Sequence, residues 1–147
     1  EISEPMPKVY QNLEQAQFIF SVYMYIRLMG QPKYSITILT LCEGQVELLR
    51  DMFRNREQSW YERIGNPKVI THVDDYDGQE NEVILISMVK PAKSRECPID
   101  FEPDDHERLF QMLKIAMTRA TKSIYCFGDF GDETHSVFSM DPARINR

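Results

Sequence analysis

The chain lacks any apolar run close to the roughly 20 residues that a bilayer-crossing helix needs. Its longest such run, Phe18 to Ile26, is interrupted by Ser21, which excludes a helical membrane span. Cysteine is scarce: Cys42, Cys97 and Cys126 are an odd number at no metal-ligand spacing. They argue against a disulfide scaffold or structural zinc and for reduced thiols in an intracellular compartment. Positive charge is also short, with 17 Lys and Arg against 23 Asp and Glu and a net charge of −6. Because neutralised phosphates supply most non-specific nucleic-acid affinity, this balance counts against binding by bulk charge, and any such contact must be local. There is no G-x-x-x-x-G-K-[ST] phosphate loop, so the chain has no triphosphate cradle of its own. No EF-hand ligand spacing, internal repeat, low-complexity tract or basic import run is present. The chain opens on Glu1 and a Pro-rich segment, Pro5 to Pro7, and reads as a piece of something longer.

What is present is the balance of one compact domain: 147 residues, 42% hydrophobic and 27% charged, enough to bury a single core. From Leu13 to Met29, Leu13, Ala16, Ile19, Phe20, Tyr23, Ile26 and Leu28 recur at helical spacing, with Gly30 and Pro32 as stop signals. Ser35 to Leu41 predicts a short strand, followed by a helix over Gln45 to Arg56 with Val46, Leu49, Met52 and Phe53 on one face. Lys68 to Val73 and Val83 to Val89 are near-continuous β-branched and apolar runs, the pattern of parallel strands covered on both faces. Lys90 to Pro103 has three prolines and no periodicity and reads as a loop insertion, 90–104 in the domain plan. Asp104 and Glu107 resemble a capping box before a helix over about Asp105 to Thr121, and Ser123 to Phe127 predicts a last strand. The plan is thus a leader at 1–9, a domain at 10–130 and a loosely tied tail at 131–147. Helices alternating with buried strands give an α/β fold, a parallel sheet between helix layers.

Three segments put polar residues or glycine at strand or helix ends, and open α/β sheets place their ligand crevice at the carboxyl ends of strands. The first, Thr40-Leu41-Cys42-Glu43-Gly44-Gln45, also fits a plain strand-to-helix turn. The second runs from Val73-Asp74-Asp75-Tyr76-Asp77-Gly78 to Gln79-Glu80-Asn81-Glu82. There Gly78 would let backbone approach a phosphate and Glu80 could accept hydrogen bonds, although an acidic glycine turn is usually just solvated. The third is Ile115-Ala116-Met117-Thr118-Arg119-Ala120, late in an apolar helical stripe. A crevice-facing Arg119 guanidinium suits a phosphate; a surface arginine paired with a carboxylate is the common alternative.

Taken together, in this order and on these elements, the segments resemble motifs IV, V and VI of superfamily 1 helicases in their RNA-directed branch. The patterns there are Thr-Pro-Tyr-x-x-Gln, Val-Asp-x-Phe-Gln-Gly-x-Glu and Ala-Leu-Thr-Arg-Ala. Tyr10-Gln11-Asn12-Leu13, Met29-Gly30 and Ile64-Gly65-Asn66-Pro67-Lys68 extend the likeness toward a spliceosomal, intron-binding type, over about Tyr10 to Phe127. The resemblance implies the second RecA-like domain of such an enzyme, a P-loop NTPase fold without its own phosphate loop. ATP with Mg2+ would be bound mainly by the first RecA-like domain of the same protein. Arg119 would be the arginine finger, with Gln45, Gly78, Glu80 and Ser87 on the nucleotide side and Thr40, Thr71, His72 and Asp74 on single-stranded RNA. Spliceosomal protein partners and a nuclear location are implied by the same likeness.

Some positions depart from the patterns. His72 stands for a small hydroxyl residue, Asp77 for the Gln before the glycine, Cys42 for Tyr, Lys90 for Arg, and Met112 and Thr121 for basic residues. Asp77 adds negative charge where a polyanion would approach, which is unfavourable in any dielectric, and Lys90 keeps charge but loses the bidentate fork. A non-enzymatic helicase-like scaffold, binding proteins in a larger ribonucleoprotein assembly, is the competing reading. A free-standing flavodoxin-type nucleotide domain fits poorly, because no glycine-rich turn follows the first strand.

Overall fold

A computed structural model of the chain describes residues 2–6, 9–54, 64–89, 103–128 and 138–140. Strands β1 (Ile2–Met6) and β2 (Val9–Asn12) pair antiparallel as a separate ribbon. Helix α1 (Leu13–Leu28) begins where that ribbon ends, because the Asn12 side chain accepts the Gln15 N–H at 2.9 Å and satisfies an otherwise orphaned donor. It stops at the predicted signal. Gly30 takes the left-handed φ of +98°, so that its N–H reaches the Arg27 carbonyl at 3.0 Å and the Gln31 N–H reaches the Ile26 carbonyl at 3.3 Å.

The main sheet contains β3 (Ile36–Thr40), β4 (Val69–His72), β5 (Asn81–Ser87) and β6 (Ala120–Phe127), all parallel, in the order β4-β3-β5-β6. A short strand β7 (Phe138–Met140) pairs antiparallel with β6. Part of the expected tail therefore belongs to the sheet.

The alternation of side chains along each strand builds two cores. Ile36 and Ile38 of β3 and Val83 and Leu85 of β5 face α1 and helix α2 (Glu43–Arg54), where Ile19, Tyr23, Leu49 and Phe53 are buried. Leu39, Ile84, Ile86 and Ile124 face the other way, against Tyr76 and against Met112 and Ala116 of helix α3 (Pro103–Met117). Full burial of each such Leu, Ile or Val contributes about 1.5–3 kcal/mol, so β3 and β5, covered on both faces, anchor the domain. This is the α/β, RecA-like arrangement of a parallel sheet between helices.

Three details differ from expectation, and a fourth expectation falls outside the described residues. Leu13 and Leu28, assigned to the inner stripe of α1, are 51% and 75% exposed; they lie at the helix ends, beyond the reach of the sheet. Helix α3 spans Pro103–Met117 rather than 105–121, so Asp104 lies within it instead of capping it. Strand β6 starts at Ala120, three residues early, and Arg119 consequently sits in the turn before a strand instead of inside a helix. Finally, the loop insertion, Lys90 and Cys97 included, lies outside the described residues except for Pro103 and Asp104.

Candidate functional site

Strand register sorts the candidate residues onto two opposite edges of the sheet. Thr40 pairs with His72 on one side and Ser87 on the other, so all three mark the carboxyl edge. Asn81 pairs with Ala120, and its N–H donates to the Arg119 carbonyl at 3.0 Å, so Arg119 marks the amino edge. Six residue steps of β5, at ~3.3 Å each, put roughly 20 Å between them.

The carboxyl edge is closed by its own hydrogen bonds. Gln45, in the first turn of α2, is fully buried. Its Oε1 accepts the Asn12 N–H at 2.8 Å and its Nε2 donates to the Asn12 carbonyl at 3.2 Å. Gln11 Nε2 donates to the Gly44 carbonyl at 3.0 Å beside it. Ser87 is also fully buried, its hydroxyl donating to Gln15 Oε1. Neither Gln45 nor Ser87 lies with Arg119: the sheet sets them on the edge opposite Gly78 and Glu80, the residues with which the resemblance groups them. Each follows a strand whereas Arg119 precedes one, and in a parallel sheet those positions are opposite ends. Their observed work is to clamp the start of α1 onto the ends of β3 and β5. Gln11, Asn12 and Gln15 are the brace that the sequence reading did not single out; the Tyr10-Gln11-Asn12-Leu13 likeness was its signal.

The RNA-side candidates do gather at this edge. Thr40 is buried, its Oγ1 donating to the Cys42 carbonyl at 2.8 Å, and Thr71 Oγ1 donates to Asp75 Oδ2 at 3.3 Å. His72 Nδ1 accepts the Asp74 N–H at 3.2 Å and lies 3.7 Å from Asp74 Oδ2. The two contacts require opposite states of Nδ1. The shorter contact is the one with the backbone N–H. Asp74 is exposed. Cys42 donates to the Val89 carbonyl at 3.1 Å, and burial, with Glu43 nearby, pushes its thiol up to about 11. Burial likewise pushes Cys126 up to about 11, so neither is a nucleophile near neutral pH.

The amino edge is open. Gly78 has φ +71°, which a side chain tolerates poorly, and a Cβ there would meet nothing within 4 Å. Asp77 Oδ1 accepts the Gly78 N–H at 2.9 Å and lies 3.4 Å from Arg119 Nη2. Arg119 Nε donates to the Ile115 carbonyl at 3.3 Å, and its side chain is 19% exposed against 75% for Asp77. Glu80 is exposed on the same turn. Below it, Asn81 Nδ2 reaches the Tyr34 carbonyl at 3.2 Å and Thr37 Oγ1 at 2.9 Å. Glu82 lies 2.8 Å from Lys122 Nζ and accepts from Gln31 Nε2 at 2.7 Å.

Arg119 thus stands away from the carboxyl-edge crevice where it was expected, though beside Gly78 and Glu80 as expected. The carboxyl-edge rule describes a domain that cradles its own ligand; a guanidinium offered to a ligand held elsewhere need not obey it. One connection, Val73 to Glu80, spans both edges. At one end Val73 N–H bonds the Thr40 carbonyl at 3.0 Å; farther along, the fully buried Tyr76 places its hydroxyl 3.3 Å from Thr37 Oγ1. Among the described residues no His, Cys, Asp and Glu cluster could hold a metal ion, and no helix is long and apolar enough to cross a membrane.

Residues 1–130 match the family model described as an AAA domain. The chain is 38% identical over 125 residues to mouse (Mus musculus) RNA helicase aquarius, covering 85% of this chain and 8% of that protein. It is 37% identical over 117 residues to pre-mRNA-splicing factor cwf11 of Schizosaccharomyces pombe, covering 78% and 9%. Mouse NFX1-type zinc finger-containing protein 1 is 30% identical over 122 residues, covering 83% and 6%. The chain spans less than a tenth of the length of each of these relatives. With a match over most of its length, a RecA-like sheet and three helicase-type segments on its edges, the chain belongs to this AAA-domain family of superfamily 1 helicases.

Proposed function

We propose that this domain is the second RecA-like half of an ATP-dependent RNA helicase or RNA–protein remodelling ATPase acting in pre-mRNA splicing in the nucleus. The observation that carries the reading is the place of Arg119: partly enclosed, at an open sheet edge, next to the left-handed Gly78 and the exposed Glu80. ATP with Mg2+, held mainly by the first RecA-like domain, would supply the phosphoryl group to be transferred. Arg119 would present a planar cation to the charge that develops there. Gly78 would allow close backbone approach, and Glu80 would accept from the ribose or from the opposite domain. At the far edge, His72, Thr40, Thr71 and Asp74 would border single-stranded RNA. Gln45 and Ser87 would hold that edge in shape. The partners of this reading are the first RecA-like domain, RNA and spliceosomal proteins; the printed names of the relatives and the helicase-type segments of this chain support it.

A second reading, a scaffold that has lost turnover, is favoured by Asp77, which already pairs with the guanidinium. The deciding experiment is Arg119→Ala in the full-length protein. RNA-stimulated ATP hydrolysis should be abolished while folding and ATP affinity are largely kept. Turnover at the wild-type rate would remove the finger assignment, and a full-length protein that neither binds nor hydrolyses ATP would favour the scaffold.

A further inference from the structure

The acidic residue before Gly78 does more than dilute a motif. One oxygen, Asp77 Oδ1, meets two positive groups at once: it accepts the Gly78 N–H at 2.9 Å and forms an ion pair with Arg119 Nη2 at 3.4 Å. A backbone amide and a guanidinium converging on one anionic oxygen are the donor set of a phosphate site. The remaining guanidinium contact, Nε to the Ile115 carbonyl at 3.3 Å, fixes the group's plane but uses no anion. Asp77 itself is largely exposed and has room to turn away.

We infer that Asp77 is an internal counter-ion of Arg119, occupying in the nucleotide-free state the donors that a phosphate oxygen takes when the cleft closes. The inference rests on the proposed function and assigns a positioning residue to it. A nucleotide phosphate and the Asp77 carboxylate then compete for the same cation, so the wild-type residue lowers apparent ATP affinity through Arg119. The competition is modest, since the pair is largely solvent-facing on the Asp77 side and is screened by salt.

The test compares full-length wild type, Asp77→Asn, Arg119→Ala and the double variant, by equilibrium ATP binding and by steady-state RNA-stimulated hydrolysis. Asp77→Asn keeps an oxygen for the Gly78 N–H and removes the charge. ATP should bind roughly two- to fivefold tighter, the range expected for loss of an exposed ion pair, and kcat/KM should rise chiefly through KM. The gain should shrink as salt is raised from 50 to 500 mM, and it should vanish in the Arg119→Ala background. A merely structural Asp77 would leave the KM unmoved or lower kcat/KM, and either result overturns the assignment. Equal tightening with and without Arg119 would mean plain repulsion of the triphosphate and also overturns it. Failure of the underlying reading looks different: Arg119→Ala would then turn over normally, or no full-length form would bind ATP.

Discussion

The two edges of the parallel sheet are built in opposite ways. At the carboxyl edge, Gln45, Ser87 and Thr40 are buried and spend their polar atoms on the start of α1 and on the neighbouring turn. At the amino edge, Asp77, Gly78 and Glu80 are exposed, and Arg119 is held by one carbonyl and one carboxylate. Substitutions at the closed edge should therefore cost stability, because a buried donor or acceptor that loses its partner is expensive. Substitutions at the open edge should cost function and little else. The contrast shows why residues read as one group from their motifs separate once strand direction is known.

The largest effect that could break this contrast is Arg119→Ala. In the full-length protein it should lower RNA-stimulated ATP turnover by about 10³ to 10⁵, the range of arginine fingers, with an unchanged urea midpoint; a shifted midpoint with retained turnover would make Arg119 structural. Next comes Gln45→Ala, which strands the Asn12 N–H and carbonyl. Denaturant unfolding should show a loss of about 1–3 kcal/mol, and a selective rise in the KM for ATP without that loss would return Gln45 to the nucleotide. His72→Ala removes one imidazole from the carboxyl edge. RNA affinity of the full-length protein should fall roughly three- to tenfold, the worth of one net hydrogen bond, with ATP affinity unchanged.

The smallest effect concerns Glu82. Its hydrogen bonds with Lys122 and then Gln31 hold its carboxyl below the usual glutamate range. A folded-state pKa below the unfolded one favours the fold at higher pH: the contribution is present above the unfolded glutamate value and is lost as pH falls through the folded one. The side chain is 39% exposed and its ion pair faces solvent, so the expected signature is spectroscopic. A carboxyl chemical-shift titration should place Glu82 below an ordinary glutamate in the native domain, and Lys122→Met should move it back up. An unmoved midpoint would disconnect the ion pair from the shift.

Much of the fold was legible because its strongest signals are local. Continuous β-branched runs marked β3, β4 and β5, and apolar spacing with Gly30 marked α1 and its end. Strand β7 was not legible: three residues carry no period, and the strand exists only through its pairing with β6. Pro5 likewise disguised β1, since proline rarely sits inside a ladder. The end of α3 was misplaced because Thr118 and Arg119 look helical in composition. The Thr118 N–H is shared between the carbonyls of Lys114 at 3.3 Å and Ile115 at 3.1 Å, and the Arg119 N–H bonds Ala116 three residues back at 3.3 Å, so the last turn tightens before β6.

The candidate site was half legible. Arg119, Gly78 and Glu80 fall together as anticipated. Gln45 and Ser87 lie at the other edge, and the clue was present, since a residue at the end of a parallel strand and one before such a strand cannot share an edge. The partnership of Asp77 with Arg119 lies 42 positions apart along the chain, and no sequence period reports it.

The passage from β4 to β5 has a mechanical consequence. Between Val73 and Asn81 the chain makes a 3-10 turn, Asp74–Tyr76, and then a second turn through Asp77 and Gly78, closed by the Gln79 N–H on the Tyr76 carbonyl at 3.3 Å. The buried Tyr76 ring is fastened between the two. His72 and Gly78 are therefore joined through a single anchored side chain, and a displacement at one can reach the other along this segment only past that anchor.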